Sequence, residues 1–338
     1  MALVVLALGG LAVLPLPRSR QPPLDAPAIA DVRAWGYQLQ RARPGLVGPD
    51  VDLLVIDYSA DGTGQRAYSR DDIARFRARP GQHRVQPAPP RRLVLAYMSI
   101  GEAESYRYYW SPLWSAARPS WLGPENKEWK RNYLVRFWQP GWQRVIVNPR
   151  PSALQRLSEF HLHWTKPYVD RVIEAGFDGV YLDRVDAFEA WTGEHASAER
   201  DMVDFVKTIS AYAKTRRPGF LVVPQNGEEL LAHPDYIAAI DAVAKEDLLH
   251  GLGGDEVRNA EDDVTSTRAF LDKAKAARLP VLVVEYLRDP ERRFEADVRL
   301  RQHGFVPLFT TRQLNLPPQA QFQVRPPGDA ANSAPDSR

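Results

Sequence analysis

The chain has 338 residues, of which 44% are apolar and 10% aromatic, and this composition supports a sizeable core. Its 44 Lys and Arg nearly balance 42 Asp and Glu, and no long basic block occurs, which argues against a nucleic-acid partner. The absence of cysteine excludes disulfides, zinc–thiolate sites and cysteine nucleophiles.

The N-terminal segment is typical of an export signal. Residues Ala2 to Leu16 are almost continuously apolar, and Arg18 and Arg20 follow. Such a run is short for a membrane span and fits the apolar region of a signal peptide, although an uncleaved anchor that tethers the protein to a membrane stays open. We assign residues 1–30 to this signal peptide or anchor and a Pro-rich spacer, and expect a secreted, periplasmic or cell-envelope protein.

Short β-branched runs alternate with helical patterns along the rest of the chain, as in parallel strands joined by crossover helices. The predicted strands are Trp35–Leu39, Leu53–Asp57, Leu93–Ser99, Gly179–Asp183, Leu221–Gln225, Ala242–Glu246, Val281–Glu285 and Phe305–Phe309. Eight such units are what a closed barrel needs. The sequence therefore predicts an α/β fold, a (β/α)8 TIM barrel over residues 31–314, with a disordered tail at 315–338.

The helical patterns carry apolar stripes, which we interpret as faces packed on the barrel. One of them comprises Met202, Phe205, Val206, Ile209, Tyr212 and Ala213. The segment from Ser111 to Pro149 fits no plain barrel, because it holds five tryptophans and its own short strand pattern at Tyr133 to Phe137. We interpret it as an elaborated Trp-rich loop after the third strand.

Acids and amides recur where the predicted strands end. In a barrel those ends converge on one mouth, where enzymes of this fold place their chemistry. We expect Asp57, Asp183, Glu246 and Glu285 to face this mouth and to make it negative. The candidate site residues are Tyr37, Asp57, Tyr58, Ser99, Glu102, Asp183, Asp186, Gln225, Asn226, Glu246, Glu285 and Tyr286.

Carboxylates in close proximity repel, so some of them must have altered pKa values. Glycoside hydrolysis needs such a pair, one nucleophile or base and one proton donor. The tyrosines at the strand ends and the Trp-rich loop add flat faces on which sugar rings can stack; packing within the loops is the alternative for each of these rings.

Several motifs resemble glycoside hydrolase family 114, the endo-α-1,4-polygalactosaminidases and their relatives. The resemblance covers roughly Ala34 to Thr311, and its most specific part is Gly176–Asp183 (GFDGVYLD). The other motifs are Asp52–Tyr58, Ala96–Glu102, Val223–Asn226 and Val243–Glu246. The resemblance implies a (β/α)8 barrel, hydrolysis of a galactosamine-containing exopolysaccharide, and a catalytic pair that corresponds to Asp183 and Glu246. By analogy with barrels that hold acids on the fourth and sixth strands, we assign Asp183 as nucleophile and Glu246 as acid/base.

The sequence thus predicts a retaining glycosidase whose partner is a polysaccharide with free amines. A glycosidase on a different α-glycan and a non-catalytic carbohydrate-binding barrel in polysaccharide export or adhesion are the alternatives. No cofactor motif and no metal-ligand pattern such as HExxH occurs, so we expect neither a cofactor nor a metal.

Overall fold

The computed structural model describes residues 28–79, 91–148, 166–318 and 321. The predicted signal segment and most of the predicted tail lie outside the described residues. Within the described ranges, no helix is long and apolar enough to cross a bilayer.

The strands of the described residues fall close to their predicted positions. In chain order they are β1 (Trp35–Gln38), β2 (Leu53–Asp57), β3 (Leu93–Ser99), β4 (Glu102–Glu104), β5 (Leu122–Glu125), β6 (Asn132–Val135), β7 (Gly179–Asp183), β8 (Leu221–Pro224), β9 (Val243–Glu246), β10 (Val281–Glu285) and β11 (Val306–Phe309).

Eight of these strands form two parallel sheets, in the orders β1-β2-β3-β7-β8 and β9-β10-β11. A single parallel bridge between Gln225 and Ala244 connects β8 to β9. Where β11 approaches β1, Trp35 Nε1 donates to the carbonyl of Val306 over 3.0 Å, and these two described strands share no backbone ladder. The predicted α/β fold with eight parallel strands is confirmed, while closure of the barrel stays a prediction.

Helices follow most of the parallel strands and cover the outside of the sheets. They are α1 (Arg70–Arg77), α2 (Pro140–Ile146), α3 (Tyr168–Ala175), α4 (Ala198–Arg216), α5 (Pro234–Ile237), α6 (Glu261–Ala276) and α7 (Pro290–Gln302). The predicted stripe of α4, from Met202 to Ala213, is buried as expected. The helix α3 ends at Gly176, whose φ of 93° is accessible to glycine without a steric penalty.

Alternation along the strands separates two apolar cores. Residues such as Leu53, Val55 and Leu95 form an inner cluster between the sheets, whereas their neighbours Leu54 and Ile56 join the outer cluster beneath the helices. Since successive strand residues point to opposite faces, this pattern fixes which strand-end side chains can enter the site.

The Trp-rich segment forms a small antiparallel sheet of its own, in the order β4-β6-β5. The predicted strand Tyr133–Phe137 is found at Asn132–Val135. Trp121 and Trp142 are buried against each other with ring centroids 5.2 Å apart, while Trp129 is 55% exposed. Most of these rings therefore pack within the fold.

The amino end of β7 is held by an ion-pair cluster. Asp178 accepts hydrogen bonds from Arg77, Arg91 and Arg217, each with an N–O distance between 2.9 and 3.1 Å.

Near the C-terminal end of the described residues, Gln321 Nε2 donates to the carbonyl of Tyr37 over 2.7 Å. Gln321 therefore packs against β1, although the sequence predicts a disordered tail from residue 315 onward.

Candidate active site

The centre of the candidate site is a pair of acids that share one amide. Asp183 ends β7 and Glu246 ends β9, and both side chains follow the inward alternation of their strands. Gln225 lies between them, and its Nε2 donates to Asp183 Oδ1 over 3.2 Å and to Glu246 Oε2. Since both oxygens accept from one nitrogen, they are at most roughly 6 Å apart, the sum of two hydrogen-bond lengths. Both acids stay partly exposed at the carboxyl ends of the strands.

Asp183 has two donors aimed at its two oxygens. The Tyr97 hydroxyl donates to Oδ2 over 2.6 Å, and the Gln225 amide donates to Oδ1. Burial raises the pKa of Asp183 to about 6, against the opposing effect of the Tyr97 hydrogen bond, and the charge of Asp186 raises it further. At neutral pH the carboxylate is therefore ionised.

The pKa of Glu246 is raised further than that of Asp183. Burial, then the charges of Asp183 and Asp247, raise its pKa to about 8. Its backbone N–H donates to Asn226 Oδ1 over 3.2 Å, and Asn226 itself adopts a left-handed φ of 59°. At neutral pH Glu246 carries a proton beside an ionised neighbour, which is the arrangement that acid-assisted displacement requires.

The acid Asp57 is held by an arginine that is buried with it. Arg107 Nη1 contacts both Asp57 oxygens, at 2.8 and 2.6 Å, and Arg107 Nε contacts Glu104 Oε2 at 2.5 Å. The Arg107 side chain is 1% exposed. Burial raises the pKa of Asp57 to about 6, although the charge of Arg107 lowers it. Asp57 faces inward as predicted, but its oxygens are occupied by Arg107.

Two further arginines flank the pair, and each is shared by two acids. Arg184, directly after Asp183, lies 3.1 Å from Glu102 and 3.4 Å from Asp186. Arg312, after β11, contacts Asp247 at 2.8 Å and Asp255 at 2.9 Å. The predicted negative mouth is therefore largely ion-paired, yet each arginine faces two carboxylates and each group keeps a surplus of negative charge.

Two predicted site residues are corrected by the strand alternation. Glu285 is fully buried on the face of β10 opposite to Tyr286, where its oxygens accept from the backbone N–H groups of Leu249 and His250 at 2.7 and 3.1 Å. It therefore anchors the loop after β9 and does not face the mouth with the pair. Tyr58 lies in the outer core against Tyr168, with its hydroxyl donating to the carbonyl of Gly62.

The remaining predicted aromatics line the inner cluster. Tyr37 is 2% exposed and its ring centroid lies 5.1 Å from that of Tyr181, while Arg312 lies 4.4 Å above the ring of Tyr286. Ser99 pairs in register with Asp183, and its buried hydroxyl has no hydrogen-bond partner among the described residues. The described side chains contain no group of three or more His, Cys, Asp or Glu placed to hold a metal.

Several residues that contact the site acids or shift their pKa values are absent from the predicted site. They are Tyr97, Glu104, Arg107, Tyr181, Arg184, Asp247 and Arg312. Tyr97 and Tyr181 occupy inward positions two residues before Ser99 and Asp183, so strict alternation could have found them. Arg312 could have been found by applying the strand-end argument to the eighth strand.

The carboxyl ends of the parallel strands hold two acids with different pKa values. This arrangement is typical of α/β enzymes that use acid–base catalysis. The model of glycoside-hydrolase family GH114 matches residues 17–328. The chain belongs to this family and is a glycoside hydrolase.

Three similar proteins come from other organisms, and each is named only as an uncharacterized protein. The match to a Methanocaldococcus jannaschii protein is 35% identical over 263 residues and covers 75% of this chain but 66% of the relative, just under two thirds of its length. A Thermotoga maritima protein is 32% identical, with 83% and 81% covered. A Deinococcus radiodurans protein is 32% identical, with 87% and 85% covered.

Among solved structures, the glycoside hydrolase domain of PelA from Pseudomonas aeruginosa is similar in fold. It superposes with a TM-score of 0.59 at 18% sequence identity and covers 85% of this chain and 96% of that domain. A variant of the same domain gives a TM-score of 0.57.

Proposed function

We propose that this hydrolase is a retaining endo-glycosidase that cleaves an α-linked amino-sugar exopolysaccharide, with Asp183 as nucleophile and Glu246 as acid/base. The observation that carries the proposal is the Gln225 amide, which brings an ionised and a protonated carboxyl together at the ends of β7 and β9.

The chemistry follows from the protonation states. Asp183, ionised at neutral pH, attacks the anomeric carbon, and Glu246 donates its proton to the departing glycosidic oxygen. Glu246, now ionised, then takes a proton from water, whose oxygen displaces Asp183 from the sugar. The two displacements restore the starting protonation states and retain the anomeric configuration.

The spacing of the two acids favours this route over single-step inversion. Retaining enzymes hold their carboxyls about 5–5.5 Å apart, and inverting enzymes about 6.5–9.5 Å to admit a water. The shared Gln225 nitrogen limits the facing oxygens of Asp183 and Glu246 to at most roughly 6 Å, which is below the inverting range and supports retention. NMR of the products at early times would test this, since the first product is the α-anomer for retention and the β-anomer for inversion.

The charge of the mouth favours a polymer with free amines. Arg107, Arg184 and Arg312 are each shared by two acids, so the groups around the pair keep surplus negative charge. A cationic chain is attracted to such a surface, and more strongly at low salt. Full N-acetylation of the polymer should weaken binding and remove most of its salt dependence. Equal affinity for both forms at low and high salt would contradict the assignment.

The wider setting of the enzyme belongs to the same proposal. We place the catalytic unit in a closed (β/α)8 barrel, supported by the Gln225–Ala244 bridge and by the Trp35–Val306 hydrogen bond. The apolar run at Ala2 to Leu16 supports export or tethering at the cell envelope.

The direct test is the release of reducing ends from partly deacetylated α-1,4-galactosaminan, compared with fully acetylated polymer and with an α-1,4-glucan. We expect release from the amine-bearing polymer first. Cleavage of the glucan alone would support a glycosidase of different specificity, and binding without cleavage of any polymer would contradict the enzymatic proposal.

A further inference from the structure

The amide of Gln225 has a position that substrate binding alone does not explain. The side chain is 3% exposed, and its two N–H bonds are directed to the two catalytic candidates, Asp183 and Glu246. A primary amide nitrogen has two hydrogens, so it can serve both carboxyls at once. All of its donor capacity is therefore used between the acids.

The orientation of this amide is fixed by a hydrogen bond to its oxygen. The Tyr181 hydroxyl donates to Gln225 Oε1 over 2.6 Å. Tyr181 is fully buried, and burial raises its pKa well above the ordinary value, so it stays a donor. A flipped amide would point its carbonyl at the ionised Asp183 and lose the hydrogen bond to that carboxylate, which is costly for buried groups.

The hydrogen bonds make the two acids unequal. Asp183 receives a donor on each oxygen, from Tyr97 and from Gln225, and this favours its ionised form. Glu246 accepts from Gln225 on Oε2. Because the carbonyl oxygen of a protonated carboxyl is the better acceptor, the proton of Glu246 belongs on Oε1, away from Asp183.

We propose that Gln225 is a positioning residue that keeps Asp183 and Glu246 from sharing a proton with each other and that directs the acidic proton of Glu246 to Oε1. The inference rests on the proposed function of the pair and adds a role that neither acid can fulfil alone. Without the amide, the two carboxyls would be free to hold one proton between them, as paired carboxyls do in other enzymes.

Other charged groups also act on the pair, and they remain in place when Gln225 is changed. They are Asp186 and Arg184 after β7, Lys245 and Asp247 on and after β9, and Arg312 after β11. The phenols of Tyr37, Tyr97, Tyr181 and Tyr286 also face the pair. A change in titration on substituting Gln225 alone therefore reports the amide.

The test compares Gln225→Leu with the wild type by two readouts, the pH dependence of kcat/KM and the titration of the carboxyl carbons by NMR. Once the acids share a proton, the lower apparent pKa of the pair should fall and the upper one should rise. We expect kcat to fall about 10- to 100-fold with little change in KM, because the proton no longer points at the leaving oxygen. Unmoved titrations together with wild-type kcat would overturn the proposal.

Two further variants keep the test decisive. Gln38→Leu removes a glutamine that is also buried but donates to the backbone carbonyl of Gln40, so it should leave both titrations and kcat unchanged. If Gln225→Leu does not fold, Gln225→Glu replaces it as a closer isostere. At low pH its side chain is protonated and keeps one donor, so its activity relative to the wild type at the same pH should recover partly as the pH falls. An activity loss in Gln225→Glu that is constant across pH would contradict the positioning role.

Failure of the proposed function gives a different result. If the pair is not catalytic, Asp183→Asn turns over at the wild-type rate, whereas the NMR titration still reports whether Gln225 separates the two acids. An inactive Asp183→Asn together with a fully active and normally titrating Gln225→Leu would reject the positioning role alone.

Discussion

The pKa values of Asp183 and Glu246 lie on either side of neutrality, in the order that a nucleophile and a proton donor need. As the proposed nucleophile, Asp183, whose pKa is raised to about 6, must lose its proton to attack, so activity should rise as the pH passes upward through that value. Glu246, at about 8, must keep its proton to donate, so activity falls above it. We expect a bell-shaped profile of kcat/KM with its maximum near neutral pH.

Replacing the proposed proton donor, Glu246, provides the control for this pH profile. Glu246→Gln should abolish the alkaline limb, and its residual activity should be highest on substrates with good leaving groups, which need little protonation. A wild-type profile with its maximum below pH 5 would contradict the assigned pKa order.

At the residue scale, the sequence predicted that Asp183 and Glu246 lie together, but it did not predict the side chains that contact the site acids. Asp183 and Glu246 follow strand runs, so their common edge could be predicted. Arg107 lies 50 residues from Asp57, and Arg312 lies 65 from Asp247, and no local pattern links such distant positions. Neighbours such as Glu285 and Tyr286 cannot both point inward, which the alternation of a strand could have shown.

At the scale of elements, Arg107 fastens the segment after β4 to the end of β2. Its guanidinium is buried between Asp57 and Glu104, so Arg107→Leu would leave two buried carboxylates without their cation. We expect a loss of unfolding free energy of about 3–5 kcal/mol, measured by urea denaturation.

The same substitution at an exposed arginine shows how much of this destabilisation comes from the loss of a positive charge alone. Arg75 pairs with Asp72 on the exposed side of α1, and Arg75→Leu should change stability by less than about 0.5 kcal/mol. Equal effects of the two substitutions would show that the Asp57–Arg107–Glu104 cluster does not stabilise the fold.

Glu285 also connects two elements, because its side chain on β10 binds the loop after β9. Glu285→Gln would replace one accepting oxygen by an amide that faces the N–H of Leu249 or His250, so a buried donor loses its partner. We expect destabilisation of about 1–3 kcal/mol by thermal unfolding and an unchanged KM. A raised KM at wild-type stability would instead return Glu285 to the substrate site.

The elements themselves were largely accessible from the sequence. Each of the eight parallel strands is found within about one residue of its predicted bounds, because β-branched runs bounded by turn residues give a strong signal. The Trp-rich segment was harder to predict, since β4, β5 and β6 are short antiparallel strands whose pairing depends on distant packing.

At the scale of the whole molecule, the parallel order of the strands separates the two ends of the fold. Asp178, at the amino end of β7, is neutralised by three arginines, whereas Asp183, five residues later, keeps a partly exposed carboxylate. The strand thus connects an ion-paired end to the end that carries the proposed nucleophile. An Asp→Asn substitution should therefore affect stability at Asp178 and turnover at Asp183.

That contrast gives the most direct test of the central claim, the rate per folded molecule of Asp183→Asn with Asp178→Asn as its matched control. We predict that Asp183→Asn folds, binds the polymer and loses several orders of magnitude in turnover, because a near-isostere replaces the nucleophile. Asp178→Asn should lower the melting temperature and leave turnover per folded molecule unchanged. Wild-type turnover by well-folded Asp183→Asn would contradict the account.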